Sequence, residues 1–154
     1  MTSLMLEHNI TLTEWKDAVR LVADIKKRYT QLKDNLYNII DKKEPDPETF
    51  SYTIAFIPEC EIYRIHFPGN PVTPGTCLVE TGRELFESHL DKRLNIKTIN
   101  GLKIMIPVNP MMYPEVEMQF SIKQNDPPLP DHHECDITVV HRDEVLARMN
   151  LVME

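Results

Sequence analysis

The chain has 154 residues, 42% of them hydrophobic and 27% charged, with a formal net charge of −7. That is length for one domain with a real core, in a composition typical of soluble globular proteins, and the acidic balance argues against general nucleic-acid binding, which needs clustered Lys and Arg. No apolar run approaches the roughly 18 to 20 residues that cross a bilayer, and the N-terminus lacks the basic start and apolar block of a secretory signal. A cytoplasmic protein with no membrane association is therefore expected.

Residues 11 to about 36 are predicted to form an amphipathic helix, a helical extension (1–36) on a single domain spanning 1–154. Thr11 to Glu14 has the capping-box arrangement, and Trp15, Ala18, Val19, Val22, Ile25, Tyr29, Leu32 and Leu36 recur at three- and four-residue steps. Leu36 to Ile40 could equally open a strand. Lys42 to Glu48, with Pro45 and Pro47 among dense charge, is predicted to be a turn. Ser51 to Ile57 then alternates as a strand, with Tyr52, Ile54 and Phe56 on one face.

Thr76 to about Leu94 is predicted to be a second helix, with Leu78, Gly82, Leu85, Phe86 and His89 on one face. A glycine in mid-helix costs about 1 kcal/mol against alanine, so Gly82 implies close packing. Tyr113 to Lys123 is a strand with Val116, Met118, Phe120 and Ile122 facing one way. Gln124 to Glu134 is a loop carrying Pro127, Pro128 and Pro130. Asp136 to Val140 and Val145 to Met153 form two more strands around a tight turn at His141 to Glu144. Strand, helix, then several antiparallel strands is an α+β order, with a curved sheet wrapped around one long helix.

Three cysteines, Cys60, Cys77 and Cys135, are an odd number without C-x-x-C spacing, which fits neither a disulfide framework nor a zinc site and suits a reducing compartment. His132, His133 and Cys135 lack further clustered ligands, so no metal is expected. The stretch from Ile65 to Glu80 is more informative. Pro68, Pro71 and Pro74 with Gly69 and Gly75 specify a rigid, irregular loop that runs straight into a helix. Unpaired backbone N–H groups at such a helix start suit an oxyanion or a polarised carbonyl. His66 at the head of the loop and Glu80 inside the helix are then a candidate acid/base pair.

The run His66-Phe67-Pro68-Gly69-x-Pro71-Val72-x-Pro74-Gly75, with Glu80 fourteen positions after His66, resembles the signature of the 3-hydroxyacyl-[acyl carrier protein] dehydratases of the FabZ/FabA kind. Ile106 to Pro110 resembles that family's second Pro-Val element, and Arg142 to Ala147 its last hairpin, so the similarity covers roughly residues 50–154. The resemblance implies a hot-dog fold and a lyase that converts 3-hydroxyacyl thioesters, borne by an acyl carrier protein or by CoA, into trans-2-enoyl thioesters in fatty acid or related acyl-chain synthesis. It implies that His66 removes the C2 proton, Glu80 protonates the leaving hydroxyl and the Gly75 amide binds the thioester carbonyl. Phe67, Pro68, Gly69, Val72, Pro74 and Glu84 would contact substrate, the Val72 carbonyl would fix the His66 tautomer, and no cofactor would be needed. His66 and Glu80 would meet across the interface of a homodimer, alone or in a trimer of dimers. Three departures stand out: Ile65 where the family has glycine, Glu84 where it has glutamine, and an atypical N-terminus. Other uses of the fold remain open: a non-catalytic carrier-binding subunit, a thioesterase or a CoA-ester hydratase.

Overall fold

The computed structural model describes Arg20, Ala23, residues 31–65 and residues 69–154. Among the described residues, six strands and two complete helices follow in the order β1 (Tyr37–Asp46), β2 (Thr49–Phe56), α1 (Ile62–Ile65), α2 (Gly75–Leu90), β3 (Ile96–Ile104), β4 (Glu115–Lys123), β5 (His133–His141) and β6 (Glu144–Met153). The strands form one antiparallel sheet in the order β1-β2-β4-β5-β6-β3.

The α+β expectation is met, and the alternation read in β2 and β4 is the alternation that buries their core faces. Phe50, Tyr52, Ile54 and Phe56 are buried on β2, and Val116, Met118 and Phe120 on β4. Register carries this face across the sheet, with Phe50 opposite Phe120, Phe120 opposite Ile137 and Ile137 opposite Met149. Helix α2 lies on this face, burying Leu78, Leu85 and Phe86 completely. Gly82 is the point of closest approach: a Cβ there would stand 2.8 Å from Ile137 Cδ1, with Leu151 and Met118 just behind.

Four expectations need correction. Lys42 to Asp46 is strand rather than turn, and only Pro47 and Glu48 make the bend. The segment sits on the outermost strand, where charge is solvated and a missing N–H costs no ladder bond. Pro45 also falls in a register shift between Lys43 and Asp46. The helix predicted to reach Leu36 does not, because the chain bends at Leu32 and turns over Asp34 to Leu36, where Asp34 has φ 68° and Leu36 N–H donates to Leu32 O at 2.7 Å. The rest of that helix and its apolar stripe lie outside the described residues, apart from Arg20 and Ala23, which are helical.

Helix α2 stops at Leu90 instead of Leu94, because Asp91 turns left-handed (φ 52°) and its N–H returns to Glu87 O. Strand β5 starts at His133, earlier than expected. Strand β3 was not foreseen at all. Its period-two signal is broken by Gly101 (φ 134°) and by register shifts at Ile96/Thr98 and Ile99/Leu102.

Candidate functional site

Of the site residues proposed from sequence, His66, Phe67 and Pro68 lie outside the described residues. The others sit on one continuous path from Gly69 into α2. Gly69 adopts φ 81°, a left-handed backbone that favours glycine, with open space where a side chain would go. Val72 is half-buried, and Pro74, in extended conformation (φ −61°, ψ 147°), is the N-cap of α2. No side chain caps the helix. Pro74 O instead accepts from the Cys77 and Leu78 amides at 2.9 and 3.1 Å. The buried Gly75 is therefore the first residue of the helix, with its N–H outside the intrahelical ladder.

Two contacts fix this loop that its sequence alone did not announce. The Thr73 N–H donates to Val108 O at 2.8 Å, so the Pro-Val element at Ile106 to Pro110 braces the motif loop directly. Tyr63, from α1, shares a 2.8 Å hydrogen bond between its hydroxyl and that of Thr73, both groups buried. Beside them the Thr76 hydroxyl is buried without a hydrogen-bond partner among the described residues.

Glu80 is on the second turn of α2, 8% exposed. Arg83, one turn further, donates through Nε to Glu80 Oε1 and through Nη2 to Oε2, both at 2.8 Å. Its Nη1 reaches Glu87 Oε2 at 2.7 Å and Leu94 O at 3.0 Å. The bond to Glu80 is the largest cause of a guanidinium pKa raised above its ordinary value. Sequence reasoning passed over Arg83, although a basic residue three positions after a helical Glu is a readable pairing signal.

Glu84 faces the other way along the chain. Its carboxylate accepts from the Leu32 amide at 2.8 Å, the Lys33 amide at 3.0 Å and the Tyr37 hydroxyl at 2.8 Å. Burial pushes the Glu84 carboxyl above the usual range and nearby Glu80 adds to the rise, against the lowering effect of its three donors. Burial and the Glu84 charge in turn push the Tyr37 phenol far up, keeping it a donor.

Together Glu80, Arg83, Glu84 and Glu87 line a cleft of about 590 Å³ that extends to Lys33 and Arg93. The Arg83 guanidinium stands among three carboxylates there, in a setting suited to proton transfer and to holding a polar group. Among the described residues, no group of three or more His, Cys, Asp or Glu side chains is placed to hold a metal ion, and no helix is long and apolar enough to cross a membrane.

The profile of the ApeI-like family, described as ApeI dehydratase, matches residues 42–134, more than half of the chain. The search of curated proteins gave no match. Among solved structures, the dehydratase heterocomplex ApeI:P from Xenorhabdus doucetiae is similar at a TM-score of 0.56 and 15% identity, over 75% of this chain and 96% of that one. A mutant thioesterase from Pseudomonas aeruginosa is similar at a TM-score of 0.52 and 13% identity, over 96% of both chains. These structural likenesses establish the hot-dog fold and, at such identities, nothing finer.

Proposed function

The chain belongs to the ApeI-like dehydratase family, and we propose that it eliminates water across the C2–C3 bond of a 3-hydroxyacyl thioester to give a trans-2-enoyl thioester. The observation that carries the reading is Glu80, buried on the second turn of a helix whose uncapped start opens on the motif loop. In this mechanism neutral His66 removes the C2 proton and the Glu80 carboxyl protonates the C3 hydroxyl as the C3–O bond breaks. The electron pair of the C2–H bond becomes the new double bond. The Gly75 amide, at the positive end of α2, takes up the negative charge that develops on the thioester carbonyl. Phe67, Pro68, Gly69, Val72 and Pro74 form the wall along which the acyl group lies. The Val72 carbonyl accepts from the second imidazole nitrogen and sets the tautomer of His66.

The acyl group is carried by an acyl carrier protein. Such carriers are acidic, so docking on an acidic chain needs local positive charge. Lys92, Arg93, Lys97 and Lys103, following α2 and on β3, supply it; Lys26, Lys27 and Arg28, the other basic group in the sequence, lie outside the described residues. The working unit is a homodimer in the cytoplasm, each site combining His66 of one subunit with Glu80 of the other.

Hydration of a crotonyl thioester by the purified protein, followed through loss of the enoyl absorbance, tests the reading. His66→Ala and Glu80→Ala should each lower the rate by about a hundred- to ten-thousand-fold. Release of free thiol without hydration would instead make the protein a thioesterase. No reaction with short or long thioesters would make it a non-catalytic subunit.

A further inference from the structure

Arg83 engages four of the five N–H directions a guanidinium offers. Two go to the oxygens of Glu80, one to Glu87 and one to the Leu94 carbonyl. The arginine is therefore held from the far side by a carboxylate and a carbonyl while it grips both oxygens of Glu80 from the near side. Such a fork is short and directional, and a lysine cannot reproduce it. The Glu80 and Arg83 side chains are only 11% and 15% exposed, so solvent screens the pair weakly.

We propose that Arg83 is the positioning residue for Glu80: it aims the carboxyl and holds it as the carboxylate at rest, making the protonated, productive form the minor one. This rests on the dehydratase reading above. When Glu80 gives its proton to the departing hydroxyl, water leaves with the C3–O electron pair, and His66 has taken the proton from C2. The site is left with a Glu80 carboxylate and a His66 imidazolium. Arg83 stabilises that state, so it strengthens Glu80 as a donor while reducing the fraction of enzyme that holds the proton to be donated. One proton must then pass from His66 to Glu80, through solvent, before the next turnover. A hydrophobic pocket raising the acid's pKa is the usual device for such a carboxyl; here a guanidinium works in the opposite direction.

The test is kcat/KM against pH for the full-length protein, Arg83→Lys and Arg83→Gln, on 3-hydroxybutyryl pantetheine. Whichever limb of the profile belongs to Glu80 should move to higher pH by about one to three units in R83Q, since a contacting opposite charge is worth that much. It should move less in R83K, which keeps the charge and loses the fork, and the other limb should stay in place. A uniform fall in kcat/KM with both limbs unmoved would mean that Arg83 only supports the fold, and would overturn the proposal. If the wild type turns over no thioester, or Glu80→Gln keeps the wild-type rate, the dehydratase reading fails on its own account. Carbon-13 NMR titration of the Glu80 carboxyl then decides the proposal without turnover, with R83K in place of R83Q should the latter not fold. A Glu80 titration that is the same with and without Arg83 overturns it.

Discussion

Glu84 and Gly82 sit two residues apart on α2 and do different jobs, one tying the helix to the chain before it and to the start of β1, the other letting the helix down onto the sheet. Glu84 gathers the Leu32 and Lys33 amides and the Tyr37 hydroxyl. In E84Q the amide nitrogen replaces one acceptor and leaves a buried N–H unpaired, a loss of about 1 to 3 kcal/mol. That loss should depend on pH. Because burial raises the folded-state pKa of Glu84 above its ordinary value, the folded protein binds this proton more readily than the unfolded chain does. Its contribution to stability is thus greatest at low pH and is lost as pH rises from the ordinary carboxylate range through the raised value. Urea titrations across that range should show the stability gap between wild type and E84Q narrowing as pH rises; a constant gap would remove Glu84 as the titrating group. Gly82→Ala puts a Cβ into Ile137 Cδ1, and overpacking of this kind costs about 1 to 3 kcal/mol. Ile137→Val removes that methyl group, so the double variant should lose less than the sum of the two single changes in a denaturation cycle. The need for glycine at position 82 was legible in the sequence, as a helix breaker in the middle of an apolar face. The partners of Glu84 were not, because they come from residues about fifty positions away whose turn has no periodic signal.

Elements whose pattern depends on one-sided burial were legible: β2, β4 and α2 each repeat an apolar residue at the period of their structure. Elements at the edges were not. Strand β1 runs through Lys42, Lys43 and Pro45 because only one of its sides is paired, which relaxes the rules used to exclude a strand there. Strand β3 hides its alternation behind bulges, and the end of α2 was overshot because Asp91 is not the glycine that usually marks such a stop. Asp91 holds φ 52° at a helix C-terminus, where both its side chain and its charge are unfavourable. Asp91→Gly should therefore raise stability by about 0.5 to 1 kcal/mol, less whatever the more flexible unfolded chain takes back. Asp91→Asn should capture the electrostatic part alone. A drop in melting temperature for both would show that the Asp91 side chain does something more than end the helix.

At the scale of the molecule, the motif legible between His66 and Glu80 led to a dehydratase family, and the ApeI-like profile places the chain in one. The finer likeness to enzymes of fatty acid synthesis is a separate matter of substrate, and loops of the kind that commonly carry binding residues have no repeating pattern to read. Assembly is an expectation that rests on the resemblance alone. The sheet of one chain ends at β1 and β3, and each edge leaves a row of N–H and C=O groups unpaired within the described residues. A composite site predicts a specific genetic outcome. His66→Ala and Glu80→Ala homodimers are each dead, but a mixed dimer contains one site built from the intact Glu80 of the first chain and the intact His66 of the second. After complete subunit exchange, half of the dimers are mixed and each has one working site of two, so activity should return to about a quarter of the wild-type level. Tagged chains and mass measurement would establish that exchange took place. Recovery at that level would establish sites shared between identical subunits. No recovery despite demonstrated exchange would mean that each site takes His66 and Glu80 from one and the same chain, and would overturn the shared site. A wild-type chain that turns over no thioester by itself would instead call for a second, different subunit, as in the ApeI:P heterocomplex, and co-expression with candidate partner chains would then be needed to restore turnover.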